Sequence, residues 1–310
     1  MTPAGALIAE EIARDGPIPF HRFMEIALYH PEHGYYRKPR DPFGRGGDFF
    51  TAAQLQPAFG ILMARIVRSL WEELGSPPDF TVVELGPGRG EMREAFSEWR
   101  YEPVDVDGGA IPRRFTGVVF ANEFFDALPV DVLVSRESGP RERRVDADGS
   151  GFRWVEVDVT APGFTPALPG GLPGPEDGRI FEVNTASLAW LDRIAASLER
   201  GFVLAIDYGY TEAEAARFPQ GTLMSYRRHR ASEDVLAEPG LRDITSHVNF
   251  TALERHPAFE PVRFETLAQT LLRAGEPDQF AEVLPHRLQL KTLLFDVGET
   301  FRTLLLHRRP

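Results

Sequence analysis

Cysteine is absent from the 310 residues. That excludes disulfides, thiolate-bound zinc and a cysteine nucleophile, and it leaves the redox compartment undecided. No apolar run approaches the roughly 20 residues that cross a bilayer, so membrane insertion is not expected. A basic excess is also missing: 46 Asp and Glu outweigh 34 Lys and Arg, for a net charge of −12. Phosphate binding needs a basic footprint, so nucleic acid is not an expected partner. The basic clusters at 141–144 and 227–230 read as solvated faces. The N-terminus shows no basic stretch followed by an apolar core, and it carries Glu10 and Glu11. Neither a secretory nor a transit signal is read there, and the expected address is the cytoplasm. His30, His33 and His229 lack metal-ligand spacing with carboxylates, so no metal site is expected. What remains is 43% hydrophobic and 26% charged residues, enough apolar material for a sizeable core.

The most informative stretch is Val82-Val83-Glu84-Leu85-Gly86-Pro87-Gly88-Arg89-Gly90. An apolar run ending in a glycine-rich turn is how α/β proteins cradle a nucleotide-containing cofactor. Glycine permits positive φ and lets a ligand approach the backbone. A dinucleotide cradle wants G-x-G-x-x-G, with its pyrophosphate on a helix N-terminus. Here the spacing is G-x-G-x-G, with an acid two residues ahead. A tight strand-to-helix turn without a ligand is the plain alternative.

Helical spacing of apolar residues covers 4–14, 20–29 and 54–74. Ser76-Pro77-Pro78 ends the third helix and leads into a strand at 80–84. A helix is expected at about 91–99, then strands at 117–121, 152–159 and 202–207. Asp146–Gly151 reads as a hairpin turn, residues 161–178 as a Pro- and Gly-rich loop, and 185–198 as a helix. Further on, a helix is expected near 267–274 and a helix or strand near 301–307.

Three more segments set polar residues at the ends of apolar runs, where open α/β sheets bind ligands. In Val118–Pro129 a strand delivers Asn122 and Glu123, with Asp126 beyond. An amide and a carboxylate side by side can receive an amine or a guanidinium and orient its nitrogen. The competing reading is that Asn122 and Asp126 cap a helix. In Leu204–Tyr210 a strand ends on Asp207, either a site acid or a turn former. In Gly46-Gly47-Asp48-Phe49-Phe50-Thr51, Thr51 reads as an N-cap, a pocket wall, or both. His247 stands among apolar neighbours and is a weaker candidate for a base or substrate contact.

Together these residues resemble the MidA family, the S-adenosylmethionine-dependent methyltransferases related to the mitochondrial complex I assembly factor that methylates an arginine. The resemblance runs through Tyr29–Tyr36, Gly47–Thr51, Glu84–Gly90, Asn122–Val130, Asp207-Tyr208-Gly209, Gly221–Leu223, Tyr226–His229, Asp243–Val248 and Gly298–Phe301. It implies an α/β fold with a class I methyltransferase-like (Rossmann-like), mostly parallel sheet. It also implies S-adenosylmethionine as cofactor, a protein arginine as acceptor and a link to assembly of a respiratory complex. On this reading residues 1–310 form a single domain, with an N-terminal helical segment at 1–75 and a hairpin and loop insertion at 131–180. Gly86, Gly88 and Gly90 then hold the methionine part of the cofactor and Glu84 faces its charged end. Gly47, Asp48 and Thr51 join the cofactor site. Asn122 and Glu123 orient the acceptor nitrogen, with Asp207 and His247 as further site candidates.

The family's Ser-Pro-Glu after the Gly-Asp-Phe-Thr loop is Ala52-Ala53-Gln54 here, and its Asp before Phe250 is Asn249. The interval between Gly90 and Asn122 is also short. One strand–helix unit of the class I order is expected to be absent. Asp105 stands at about the offset of 20 residues where a ribose acid is expected, with Asp107 as the other candidate. Two alternatives stay open: a catalytically impaired homologue that binds protein as an assembly factor, and a dinucleotide-dependent oxidoreductase.

Overall fold

The computed structural model describes residues 1–37, 44, 47–48, 52–105, 108–149, 151–159, 178–275 and 282–309. Close contacts divide the chain into two compact units. One comprises Met1–Phe50, Asp126–Ser187 and Tyr210–Ala252, and the other Thr51–Phe125, Leu188–Gly209 and Leu253–Pro310.

The second unit is built on a sheet of six strands: β1 (Thr81–Leu85), β2 (Arg100–Val104), β3 (Phe115–Asn122), β4 (Leu198–Asp207), β5 (Phe259–Thr266) and β6 (Arg302–Arg308). Their spatial order is β5-β6-β4-β3-β1-β2. The four strands β2, β1, β3 and β4 run parallel, and β6 and β5 add antiparallel at the other edge. This is the expected Rossmann-like, mostly parallel sheet. Strands β1 and β3 are apolar because both faces are covered: every residue of β1 is buried, as are all but Thr116 of β3. The helix Ala58–Glu73 lays Phe59, Leu62, Met63, Ile66, Val67 and Leu70 into the same core as Val118, Phe120, Phe202 and Leu204. It begins with Pro57 at its N-cap position and has no side-chain cap. Thr51 lies outside the described residues.

The helix expected at 91–99 is not regular. The segment is a chain of turns whose backbone bonds mix three- and four-residue spans: Gly90 N to Pro87 O at 2.7 Å, Arg93 N to Gly90 O at 3.1 Å and Phe96 N to Met92 O at 3.0 Å. Its residues favour helix, yet between the left-handed Gly90 and the start of β2 the segment closes as successive turns.

The short interval is resolved by β2. It pairs in parallel with β1, directly beside the glycine strand. No strand lies outside it among the described residues, and no helix joins it to β3. Residues 105–114 make that return; about ten residues reach at most ~33–36 Å when extended, enough to run back along the length of β3. Among the described residues the strand–helix unit is therefore absent, as expected, and no helix forms the crossover.

The first unit packs the helices Pro3–Asp15 and Phe20–Tyr29 with an antiparallel sheet. Thr2 caps the first helix by accepting Gly5 N at 3.0 Å, and Gly16 closes it. The expected hairpin is present: Arg141–Ala147 pairs with Phe152–Asp158, with Val145 opposite Trp154. Trp154 meets Phe20 at 4.9 Å and Phe152 meets Phe23 at 5.6 Å, so the hairpin shares one apolar cluster with the second helix.

The centre of the six-stranded sheet tolerates little change. A Cβ on Gly117 would lie 1.9 Å from Thr81 O on β1. Gly117→Ala is expected to cost at least about 2 kcal/mol through this overlap, read as a fall of several degrees in Tm on thermal unfolding.

Candidate functional site

The site follows from register. Leu85 of β1 stands opposite Val104 of β2 and Ala121 of β3, and Ala121 stands opposite Ala205 of β4. The residues that leave these strands therefore start from one level: Asp105, Gly86, Asn122 and, one step later, Asp207. Neighbouring strands lie ~4.8 Å apart, so this row spans about 15 Å at the carboxyl edge, where α/β sheets bind ligands.

Gly86, Gly88 and Gly90 all hold left-handed φ, at 64°, 55° and 79°. Other residues adopt that conformation only under strain. A Cβ on Gly86 would also press to 3.1 Å from the Phe124 ring. The turn is a cradle that only glycine builds. No regular helix begins at its end, so the anion-binding helix N-terminus that a pyrophosphate needs is missing. A cofactor without that phosphate pair fits, and the oxidoreductase alternative loses its support.

Glu84 is 4% exposed and accepts a short hydrogen bond from the Tyr101 hydroxyl. Burial pushes its carboxyl up to about 7; the Tyr101 hydrogen bond and the Arg93 charge pull it down, while Glu91 and Asp105 push it up. This is a buried acid with no full ion pair among the described residues, suited to receive a cationic group from a ligand. Asp105 is exposed at the end of β2, where its N–H donates to Gly108 O at 2.9 Å. Asp107 lies outside the described residues.

Asn122 and Asp126 do not cap a helix, because none follows them. Glu123 holds φ at 52°, an uncommon value for a residue with a side chain. Its N–H donates to Ile206 O at 2.9 Å. Its Oε1 accepts Ala52 N at 2.9 Å and Asn122 Nδ2 at 3.2 Å. Asn122 Oδ1 is buried with no hydrogen-bond partner among the described residues. An unmatched buried acceptor is costly unless a ligand completes it. Asp207, fully buried, accepts Phe125 N and Tyr208 N, each at 3.0 Å. It ties the loop that carries Glu123 to the end of β4.

Gly47, Asp48 and His247 belong to the first unit. Asp48 accepts the Tyr35 hydroxyl at 2.8 Å and Arg228 N at 2.5 Å, and its carbonyl accepts His229 N at 3.0 Å. It thereby holds a turn whose Arg228 and His229 are both left-handed. His247 N donates to Thr222 Oγ1 at 2.9 Å, and its ring meets Phe218 edge-on at 5.0 Å. Burial pulls its pKa down, leaving it neutral at pH 7. The first unit also buries a group that the sequence pattern does not single out: the Tyr36 hydroxyl donates to Asp243 at 2.8 Å, and burial with Asp126 and Asp48 nearby pushes Asp243 up to about 7.

A carboxyl whose folded pKa exceeds its unfolded value costs nothing while both states are protonated. Its burial costs progressively more as pH rises from 4.5 toward 7. Glu84→Gln is therefore expected to match the parent's stability at pH 4 and to exceed it by up to ~3 kcal/mol at pH 8. Denaturant unfolding at the two pH values checks this.

Residues 94–260 match the model of a family of S-adenosyl-L-methionine-dependent methyltransferases. The protein named arginine methyltransferase NDUFAF7 homolog, mitochondrial, from Drosophila melanogaster is 30% identical over 308 residues, covering 80% of this chain and 68% of its own length. The Homo sapiens protein arginine methyltransferase NDUFAF7, mitochondrial, is 26% identical, covering 82% of this chain and 69% of its own length. A solved structure from Burkholderia thailandensis, described as a methyl transferase and bound to S-adenosyl-homocysteine, matches with a TM-score of 0.87 at 31% identity, covering 98% of this chain and 92% of its own. The names of the curated relatives overturn the cytoplasmic address, since those proteins are mitochondrial. Net charge and two early glutamates describe solubility, and solubility does not decide a compartment. S-adenosylmethionine is the cofactor and methyl transfer the activity. On the family model, the relatives and the solved structure together, the chain belongs to the MidA family of S-adenosylmethionine-dependent methyltransferases.

Proposed function

We propose that this methyltransferase places its methyl group on an arginine nitrogen of a protein, in a step linked to assembly of a respiratory complex. The observation that carries the reading is the Asn122–Glu123 pair, fixed beside the glycine cradle with a buried amide oxygen left open. The relatives named as protein arginine methyltransferases support the choice of acceptor.

When bound, S-adenosylmethionine supplies an electrophilic methyl group on a sulfonium. Gly86, Gly88 and Gly90 would hold its methionine part, Glu84 its ammonium group and Asp105 its ribose hydroxyls. Asn122 Oδ1 and the Glu123 carboxylate accept N–H bonds from the acceptor guanidinium. They fix one nitrogen in the line of transfer and exclude other orientations. Positioning of this kind replaces a strong base as the source of rate. Asp207 acts on the chemistry only through the loop it holds.

Glu123→Ala is expected to lower transfer of a labelled methyl group to protein arginine by at least ~100-fold, while S-adenosylhomocysteine affinity moves less than about threefold. Unchanged transfer would remove the acceptor role. Asp105→Ala is expected to weaken S-adenosylhomocysteine about 10- to 100-fold, as charged hydrogen bonds are lost. The missing strand–helix unit favours one second reading, a homologue that binds protein without catalysis. Calorimetry decides it: no heat from the parent protein at millimolar S-adenosylhomocysteine overturns the enzyme reading.

A further inference from the structure

Tyr101 is not part of the glycine turn or of the Asn-Glu string, yet it is the residue that touches Glu84. The register sets Tyr101 opposite Val82 and Pro103 opposite Glu84. Tyr101 is thus the diagonal neighbour of Glu84 on one face of the sheet, a separation that a long side chain spans. Its hydroxyl donates to the Glu84 carboxylate. The Arg93 guanidinium lies 5.1 Å over its ring, and Phe96 packs at 6.4 Å. Arg93 and Phe96 come from the turn segment after the glycines, so one tyrosine joins that segment, the second strand and the buried acid.

We propose that Tyr101 is a positioning residue of the cofactor site: its hydroxyl supports and orients the charged Glu84 carboxylate for the cofactor's ammonium group, and Arg93 packs over its ring. The proposal rests on the cofactor reading above. The described groups that weigh on Glu84 are Tyr101 on β2, Asp105 beyond its end, and Glu91 and Arg93 on the turn segment. Glu91 and Asp105 oppose ionisation of Glu84, and burial opposes it most. Tyr101 and Arg93 are the groups that favour it. Without the hydroxyl, the acid holds its proton to higher pH and presents a neutral group to a cation. The ring, its packing and its contact with Arg93 survive in Tyr101→Phe.

The test has two readouts. Carbon-detected NMR titration of the Glu84 carboxyl in the ligand-free protein is expected to show a midpoint near 7 in the parent and about one pH unit higher in Tyr101→Phe. Arg93→Gln is expected to move it the same way by less. S-adenosylhomocysteine calorimetry is expected to show Tyr101→Phe about fivefold weaker than the parent at pH 7 and within about twofold of it at pH 9. An unchanged Glu84 midpoint in Tyr101→Phe overturns the proposal, as does a loss of affinity that is the same at every pH. If the parent fails to bind S-adenosylhomocysteine at any pH, the cofactor reading falls and takes this proposal with it.

Discussion

Hydrogen-bond register across four parallel strands governs everything that the site can do. Leu85, Val104, Ala121 and Ala205 lie at one level, and none of them is chemically active. Their alignment decides which residues emerge together. A slip of one residue in β3 would turn Asn122 to the opposite face and move Glu123 out of the row. The buried packing of Val118, Phe120, Phe202 and Leu204 against the long helix supports that register, and Gly117 helps fix it, because a shifted strand would bring a side chain to the place where a Cβ falls 1.9 Å from Thr81 O. The core thus stabilises the fold and aligns the site at the same time.

Much of this was legible in the chain. Apolar runs that stop on a polar residue marked Glu84, Asn122 and Asp207, and the glycine spacing marked the cradle. The hairpin was legible because Asp-Ala-Asp-Gly-Ser-Gly interrupts two strands of matching pattern. The partners were not. Asp207 works on Phe125, 82 residues away, and neither neighbourhood encodes the other. Tyr101 reads as an ordinary strand aromatic until the parallel register sets it diagonal to Glu84. The turns after Gly90 have helix-forming residues, so propensity pointed the wrong way where chain geometry prevailed. The two compact units were also beyond a linear reading, since each gathers three separate stretches.

Buried acids recur, and they differ in use. Asp207 accepts two backbone N–H groups, and Asp48 accepts one together with the Tyr35 hydroxyl, which makes each a fastener. Glu84 has one phenol and a distant guanidinium, so burial prevails and the acid is poised near neutrality. A fastener tolerates no change of partner. A poised acid is unstable by itself and becomes favourable when a cation arrives, a trade of stability for binding found at functional sites.

The short return between β2 and β3 has a consequence for solubility. Dropping an outer strand leaves Arg100–Val104 as the rim of the sheet, and a bare rim invites another chain to pair with it. Here the rim carries Arg100 bonded to Glu102 at 2.7 Å, and Pro103, which has no N–H to offer. The returning chain folds back so closely that a Cβ on Gly109 would fall 2.2 Å from Pro103 O. A charge pair, a proline and a doubled-back strand end blunt the sheet at this rim.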